Sequence, residues 1–440
     1  MRRISSYEEA QRYLLGTIDE IVSRRTSYKL ERMHAFLRHL GDPHRAYPSV
    51  HVGGTSGKGS TSTMIAAVLQ ACGKRTGLHT KPHLHSMTER AQIDGRPVAP
   101  ERFADLLDAM MPAIERTAQG FGRPTYYETL LALAFLYFAQ ERVDVAVIEV
   151  GLGGRLDGTN VLAPVVTAIT SVGYDHTEVL GTTLEAIAAE KAGIAKRGVP
   201  MVLGVLPAVA REVVERHAAE VGAPVVRVAD AVRVEREQAA GHGAQRLVVR
   251  SARGTYALTL SALGTFQRLN AATALAALEQ LRGDLYPALD GIARGFAEVT
   301  IPGRMEVLGR NPTVVFDIAH NVEKARSLVT SLREDFPGRR VHYVVAIGET
   351  KDARHIIETL AQPRSTFTFT TFAASGRRSI GPAQLARIAE SLGRWGREIY
   401  DPAEALSVAR RQAEVDDVVV VTGSTFVVAQ LRDRYATAPA

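Results

Sequence analysis

At residues 49–61 a short apolar strand, Ser49-Val50-His51-Val52, runs into Gly53-Gly54-Thr55-Ser56-Gly57-Lys58-Gly59-Ser60-Thr61. Helical apolar spacing takes over from 58 to 72, and Gly73 stops it. Glycines between a strand and a helix let successive backbone N–H groups point at an anion, and the helix N-terminus adds its dipole. The general phosphate loop reads Gly, four residues, Gly-Lys-Ser/Thr. Here the loop is one residue shorter, and Gly59 separates Lys58 from the hydroxyls. Lys58 can still reach the β- and γ-phosphates of ATP, and Ser60 or Thr61 can meet a phosphate or Mg²⁺. The candidate nucleotide set is therefore Gly54, Thr55, Ser56, Gly57, Lys58, Gly59 and Ser60, with Lys58 as a catalytic group. A glycine-rich turn with a chance lysine is the alternative.

A loop of this kind belongs in a parallel α/β sheet, and the chain alternates accordingly. Val143-Asp144-Val145-Ala146-Val147-Ile148-Glu149-Val150 is a nearly continuous apolar run, as a strand buried on both faces should be. Further strands are expected at 75–79, 165–170 and 200–203, and helices at 8–25, 30–40, 100–118, 126–140 and 184–195. Segments 246–250 and 255–260 flank Ser251-Ala252-Arg253-Gly254 as a hairpin, an antiparallel extension within 226–262. Helices at 267–282 and 286–298 close the first domain. After Ile301-Pro302-Gly303 the alternation restarts: strands 313–317, 341–347, 365–370 and 417–421, and helices 321–335, 352–361, 382–393, 402–413 and 425–436. The expected fold is α/β, with a parallel-sheet P-loop domain over 1–300 and a smaller Rossmann-like domain over 301–440. Residues 437–440 read as a frayed tail.

At about 150 residues per domain, 440 residues allow two or three domains. Cys72 is the single cysteine, which excludes an internal disulfide and suits a cytoplasmic location. No apolar run reaches the roughly 18 residues of a membrane span, and the first residues lack a signal-peptide core. The net charge of +6 favours anionic small molecules. No Lys/Arg run with interleaved aromatics points to nucleic acid.

Glu149 ends a buried strand, at the edge where open α/β sheets bind ligands. It can hold Mg²⁺, which prefers hard oxygen donors, or pair with a lysine; the residues leave both open. His176 follows the end of the 165–170 strand and is a ligand or a hydrogen-bonded structural residue. Lys191, in Ala189-Glu190-Lys191-Ala192-Gly193-Ile194, reads by itself as an ordinary exposed helix lysine.

These segments together resemble one family. The loop from His51 to Ser60 is similar to that of folylpolyglutamate synthase/dihydrofolate synthase, of the Mur ligase superfamily, with Ser56 for the usual Asn. Glu149-Val150-Gly151-Leu152-Gly153-Gly154-Arg155-Leu156-Asp157-Gly158-Thr159-Asn160 matches the family signature with Gly158 for Ala. Thr170-Ser171 with Asp175-His176, Glu190 to Ile194, Pro302-Gly303-Arg304-Met305-Glu306 and Asp317-Ile318-Ala319-His320-Asn321 follow in family order. Matches run from Arg32 to Phe426. The resemblance implies a Mur-ligase-like fold, Glu149, His176 and Ser60 at the metal, and a Lys191 carbamylated by CO₂. It further implies Asn270, Arg304 and Asp317 at the nucleotide, with His320 near the amino-acid site and catalytic. It places His83, Glu89, Arg90, Arg155 and Ser424 at the substrates, and Lys81 is counted with them; where the family often has His-Gln, this chain has Phe266-Gln267, and Phe266 can pack on an adenine face.

One departure stands out. The family reads Thr-Ser-Pro-His-Leu, with the serine a metal ligand, where this chain has Thr80-Lys81-Pro82-His83-Leu84. An ammonium cannot ligate a cation. Either Lys81 turns outward or it supplies a positive charge at the ATP phosphates. The implied activity is ATP-dependent addition of L-glutamate to dihydropteroate or folyl-glutamates, by a monomer. Alternatives are a paralogue joining another acid and amino acid, and a P-loop NTPase switch module.

Overall fold

The computed structural model describes residues 3–17, 30–241, 243–374 and 376–436. It forms two compact units. The first comprises Met1–Glu235, Leu247–Leu258 and Leu269–Val299, and the second Arg236–Arg246, Thr259–Arg268 and Thr300–Ala440. Among the described residues no helix is long and apolar enough to cross a membrane.

The first unit holds an eight-stranded sheet. Its strands are β1 (Ser49–Gly53), β2 (Thr76–His79), β3 (Gln92–Ile93), β4 (Arg96–Pro97), β5 (Val145–Glu149), β6 (Val166–Ile169), β7 (Met201–Leu203) and β8 (Val225–Arg227). The order is β4-β3-β2-β5-β1-β6-β7-β8. From β2 to β8 all pairs are parallel, while β3 and β4 add an antiparallel edge. β1 lies between β5 and β6, with Val52 beside both Glu149 and Ala168. The ends of these three strands therefore meet at one edge. All three are buried throughout, which is why each reads as an unbroken apolar run.

Two clusters cover this sheet. Ala146 and Ile148 pack with Phe36, Phe103, Phe135 and Phe138. Val150 and Ile169 pack with Ile187, Ile194 and Val214. The Lys58–Ala71 helix lies against the Leu289–Glu298 helix. A Cβ at Gly295 would overlap the Val68 backbone, so the two backbones touch only because residue 295 has no side chain.

The hairpin expected within 226–262 gains a third strand. β9 (Val232–Gly241), β10 (Ala244–Ser251) and β11 (Gly254–Leu260) form a sheet in the order β11-β10-β9. The second unit has a six-stranded sheet of β12 (Glu306–Arg310), β13 (Thr313–Phe316), β14 (Val341–Val345), β15 (Thr366–Phe369), β16 (Gly396–Glu398) and β17 (Val418–Thr422). Its order is β12-β13-β17-β14-β15-β16, parallel except for β12. Tyr343, Phe367, Phe369 and Leu328 fill its core, and Phe266 packs against it.

Several differences from the sequence reading have local causes. The first helix spans Tyr7–Gly16, and residues 18–25 of its expected length lie outside the described residues, as does the tail 437–440. The helix expected to reach 195 ends at Ala192. Gly193 there is pressed against Arg155, whose Cβ a side chain at 193 would overlap. The Ala208–Val221 helix and the strands β3, β4, β12 and β16 add to the expected elements. The two- and three-residue strands are too short to carry a period. β12 is interrupted by an irregularity between Val307 and Gly309.

Candidate active site

The loop between β1 and the Lys58–Ala71 helix is clamped from the end of β6. Thr55 N donates to Ser171 O (2.8 Å), and Ser56 N donates to Ser171 Oγ (2.9 Å). Thr170 Oγ1 and Ser171 Oγ both donate to Ser56 O, at 2.6 and 2.9 Å. Thr55 Oγ1 completes the clamp by donating to Gly173 O (3.2 Å) and accepting from Gly173 N (3.0 Å). Only the backbone of Ser56 enters this clamp, so serine for asparagine at 56 leaves it intact. A Cβ at Gly54 would overlap Thr170 Oγ1, and one at Gly57 would overlap Asn270 Oδ1. Both glycines have positive φ, 138° and 85°. Asn270 thus lies against the loop. Thr170 and Ser171 were read only as part of a motif, and their clamping role was missed.

Two ammoniums share one carbonyl. Lys58 Nζ donates to Gly54 O (2.9 Å) and Thr55 O (3.1 Å), and Lys191 Nζ donates to Gly54 O (3.1 Å). Lys191 is buried rather than exposed. Burial, with Lys81's charge adding to it and Asp175 and Asp157 opposing, lowers its pKa to about 8. About a tenth of this amine is therefore unprotonated at pH 7, far more than for an ordinary lysine.

Glu149 is 3% exposed, and its Oε2 accepts from Lys81 N at 2.9 Å. It approaches the first turn of the helix, 3.3 Å from where a Cβ of Gly59 would be. Ser60 is buried, and Thr61 Oγ1 is buried without a partner among the described residues. A carboxylate and two hydroxyls at a helix N-terminus form the hard-oxygen set that Mg²⁺ takes when phosphate completes its shell. These residues fit a nucleotide-borne Mg²⁺. His176 lies apart from this set in its contacts. Its backbone is left-handed (φ 50°), its side chain is half exposed, and its ring neighbours Glu178 (3.5 Å) and Asp175 (3.9 Å). Among the described residues no three His, Cys, Asp or Glu gather into a metal site of their own.

Much of the Glu149–Asn160 signature is scaffold. Asp157 Oδ2 accepts from Leu152 N (2.7 Å), and its Oδ1 accepts from Thr159 N, Thr159 Oγ1 and Tyr127 OH. Thr159 Oγ1 in turn takes the Nε2–H of His51 (2.8 Å), a ring that burial keeps neutral with a pKa near 3. Arg155 pairs with Glu190 (2.7 Å), and Asn160 Nδ2 donates to Arg155 O and Gly193 O. These bonds tie the segment to the helix that carries Lys191.

The segment after β2 is held in the same way. Glu89 accepts from Leu84, His85 and Ser86 N at 2.7–2.8 Å, so its carboxylate is spent on the backbone. Ser86 and Glu89 form a capping box, which Ser-x-x-Glu signals in the sequence. Arg90 Nε donates to His83 Nδ1 (3.0 Å), and its guanidinium lies over Tyr126 (5.6 Å). Burial and Arg90 lower His83 to about 4.

In the second unit Asp317 accepts from Met305 N and Ala319 N, both at 2.9 Å, and burial raises its pKa although Arg304 opposes. It fixes the turn that presents Arg304. His320 Nδ1 bonds Ile318 O (2.9 Å), and its Nε2 accepts from Lys324 Nζ (3.1 Å). Burial first and Lys324 next lower its pKa to about 4, so it is neutral at pH 7. Asn321 caps the Val322–Asp335 helix, its side chain accepting from Lys324 N. Ser424 is buried, and its Oγ accepts from Phe426 N (3.1 Å). Phe266 packs on the core of this unit.

Comparisons with known proteins bear on both units. Residues 52–278 match the Mur ligase middle domain, and 303–425 match the Mur ligase glutamate ligase domain. A dihydrofolate synthase/folylpolyglutamate synthase of Bacillus subtilis (strain 168) is 32% identical over 98% of this chain and 99% of its own. The structure of Mycobacterium tuberculosis folylpolyglutamate synthase complexed with ADP superposes with a TM-score of 0.87 at 31% identity, covering 99% of this chain and 100% of that one. The bifunctional folylpolyglutamate synthase/dihydrofolate synthase of Yersinia pestis, complexed with AMPPNP and Mn ion, gives 0.83 at 29% identity, covering 99% of each chain.

Proposed function

This chain belongs to the folylpolyglutamate synthase/dihydrofolate synthase family of Mur-type, ATP-dependent ligases, and we propose that it joins L-glutamate to dihydropteroate, to folyl-glutamates, or to both. The observation that carries this is the clamped loop with Lys58, buried Glu149 and the Thr61 hydroxyl, unpartnered among the described residues, at one strand edge. The loop amides and Lys58 hold the triphosphate of ATP. The γ-phosphoryl group passes to the acceptor carboxylate, giving an acyl phosphate and ADP. Glutamate's amine attacks the acyl carbon, the amide bond forms, and phosphate leaves. Mg²⁺ bound with the nucleotide supplies charge neutralisation at the phosphates. Glu149, Ser60 and Thr61 would hold it, and His176 is proposed as a further ligand. Arg304 and Asp317 are proposed at the nucleotide, and neutral His320 as a catalytic group beside the glutamate. His83 and Arg90 are proposed at the acceptor.

The test is ADP and phosphate release with Mg²⁺ and glutamate, offering dihydropteroate and tetrahydrofolate in parallel. Release that depends on both an acceptor and glutamate is expected. Release that ignores glutamate would instead mark a plain NTPase. A cytoplasmic location and a monomeric state belong to the same proposal, checked by fractionation and by sedimentation.

A further inference from the structure

Among the described residues, Lys81 lies at this strand edge with no hydrogen bond or ion pair recorded for its ammonium. Its backbone N–H donates to Glu149 Oε2 at 2.9 Å, which fixes residue 81 against the buried carboxylate beside the loop. The side chain is half-buried. Its ammonium has no hydrogen bond or ion pair among the described residues, whereas Lys58 and Lys191 both donate to Gly54 O. Its charge nonetheless acts on two buried groups, Lys191 and His79, and pushes each toward its neutral form. With its backbone N–H held by Glu149 and its side chain half-buried, residue 81 stands at the strand ends where Glu149 and the loop meet.

A half-buried cation with three donors and no acceptor calls for an anion. Under the ligase reading, on which this inference rests, the anion is a phosphoryl oxygen of the nucleotide. A lysine in that position also excludes a divalent ion from the same space, since it repels the ion and offers no ligand to it. We propose that Lys81 is a built-in cation of the ligase site, binding the transferred phosphoryl group beside Glu149 and limiting the site to one divalent ion per nucleotide.

Two substitutions separate charge from ligation. Lys81→Ser removes the ammonium and offers an oxygen donor; Lys81→Met removes the ammonium and offers none. Neither touches the backbone N–H that Glu149 accepts, and circular dichroism checks the fold of both. Mn²⁺ is titrated into the full chain with a non-hydrolysable ATP analogue, following free Mn²⁺ by electron paramagnetic resonance. One Mn²⁺ per bound nucleotide is expected for the parent and for Lys81→Met, and two for Lys81→Ser. Lys81→Met should also weaken the triphosphate analogue at least tenfold relative to ADP. Two ions in the parent, or one in Lys81→Ser, would overturn the proposal and leave the ligase reading standing. An unchanged triphosphate-to-ADP preference in Lys81→Met would do the same. Failure of the parent to bind nucleotide would overturn both readings.

Discussion

Replacing Ser171 by alanine tests whether the nucleotide loop is held from β6. Ser171 Oγ accepts from Ser56 N and donates to Ser56 O, each at 2.9 Å, while its backbone carbonyl accepts from Thr55 N. The variant keeps the carbonyl contact. It also keeps Thr170 Oγ1 on Ser56 O at 2.6 Å, so that acceptor stays satisfied. What is lost is the partner of the Ser56 N–H and the second bond to Ser56 O. A net hydrogen bond contributes about 1 kcal/mol, and a part-buried N–H left unpaired costs about 1–3 kcal/mol. Water can reach part of this site, so the lower end applies, about 1–2 kcal/mol. If the clamp orders the loop before nucleotide arrives, that energy is drawn from binding. At 1.4 kcal/mol per tenfold, Kd for an ATP analogue should rise about 5- to 30-fold. Isothermal titration calorimetry reads Kd, and thermal unfolding reads the fold. A Kd within twofold of the parent, with a normal Tm, would refute the idea that β6 pre-orders the loop.

Lys58→Ala should lower the ligation rate at least about 100-fold, since phosphoryl transfer depends mainly on charge placement; a parental rate would remove Lys58 from the mechanism. Gly295→Ala forces a Cβ into the Val68 backbone and should destabilise the first unit by about 1–3 kcal/mol, read as a lower urea midpoint. Lys191→Met has a pH signature. The parent's amine falls from 10.5 to about 8 on folding, a shift equivalent to about 3 kcal/mol. That penalty is present in full below pH 8, where both states are charged. It fades as pH rises from 8 toward 10.5, because the folded chain has shed a proton that the unfolded chain still holds. After subtracting about 1 kcal/mol for the lost bond to Gly54 O, the variant should be about 2 kcal/mol more stable than the parent at pH 7 in CO₂-free buffer. Its advantage should vanish by pH 10, and an equal difference at both pH values would show that residue 191 is not strained by its charge.

The sheet and the phosphate loop were legible because both are local. Buried parallel strands read as apolar runs, and a glycine loop between strand and helix needs no distant partner to be recognised. The short strands β3, β4 and β16 carry too few residues for any period. The Ser171 clamp was hidden for a different reason: it joins residues 115 positions apart in the chain, and nothing near Ser56 points to it. Glu89 shows the opposite case. Its capping box was readable from Ser86-x-x-Glu89, yet the motif match drew attention to substrate instead.

That contrast limits what a matched motif says about each of its letters. Within the signature from Glu149 to Asn160, Glu149 faces the loop, whereas Asp157, Thr159 and Asn160 bond the signature's own backbone, His51, Tyr127 and the Lys191 helix. Changes at the two kinds of position have different meanings. Gly158 for alanine falls on the scaffold, where an added Cβ would press the flexible end of Leu131 at 3.2 Å and make ordinary contacts with Tyr127 and Glu128. Ser56 for asparagine falls on the loop but leaves the backbone bonds that the clamp uses. Neither change alters charge at the strand edge. Lysine at 81 does, because it adds a positive charge within reach of Lys191 beside the buried carboxylate. The three departures look alike in the sequence, and only the contacts show that one of them changes the charge beside the buried carboxylate.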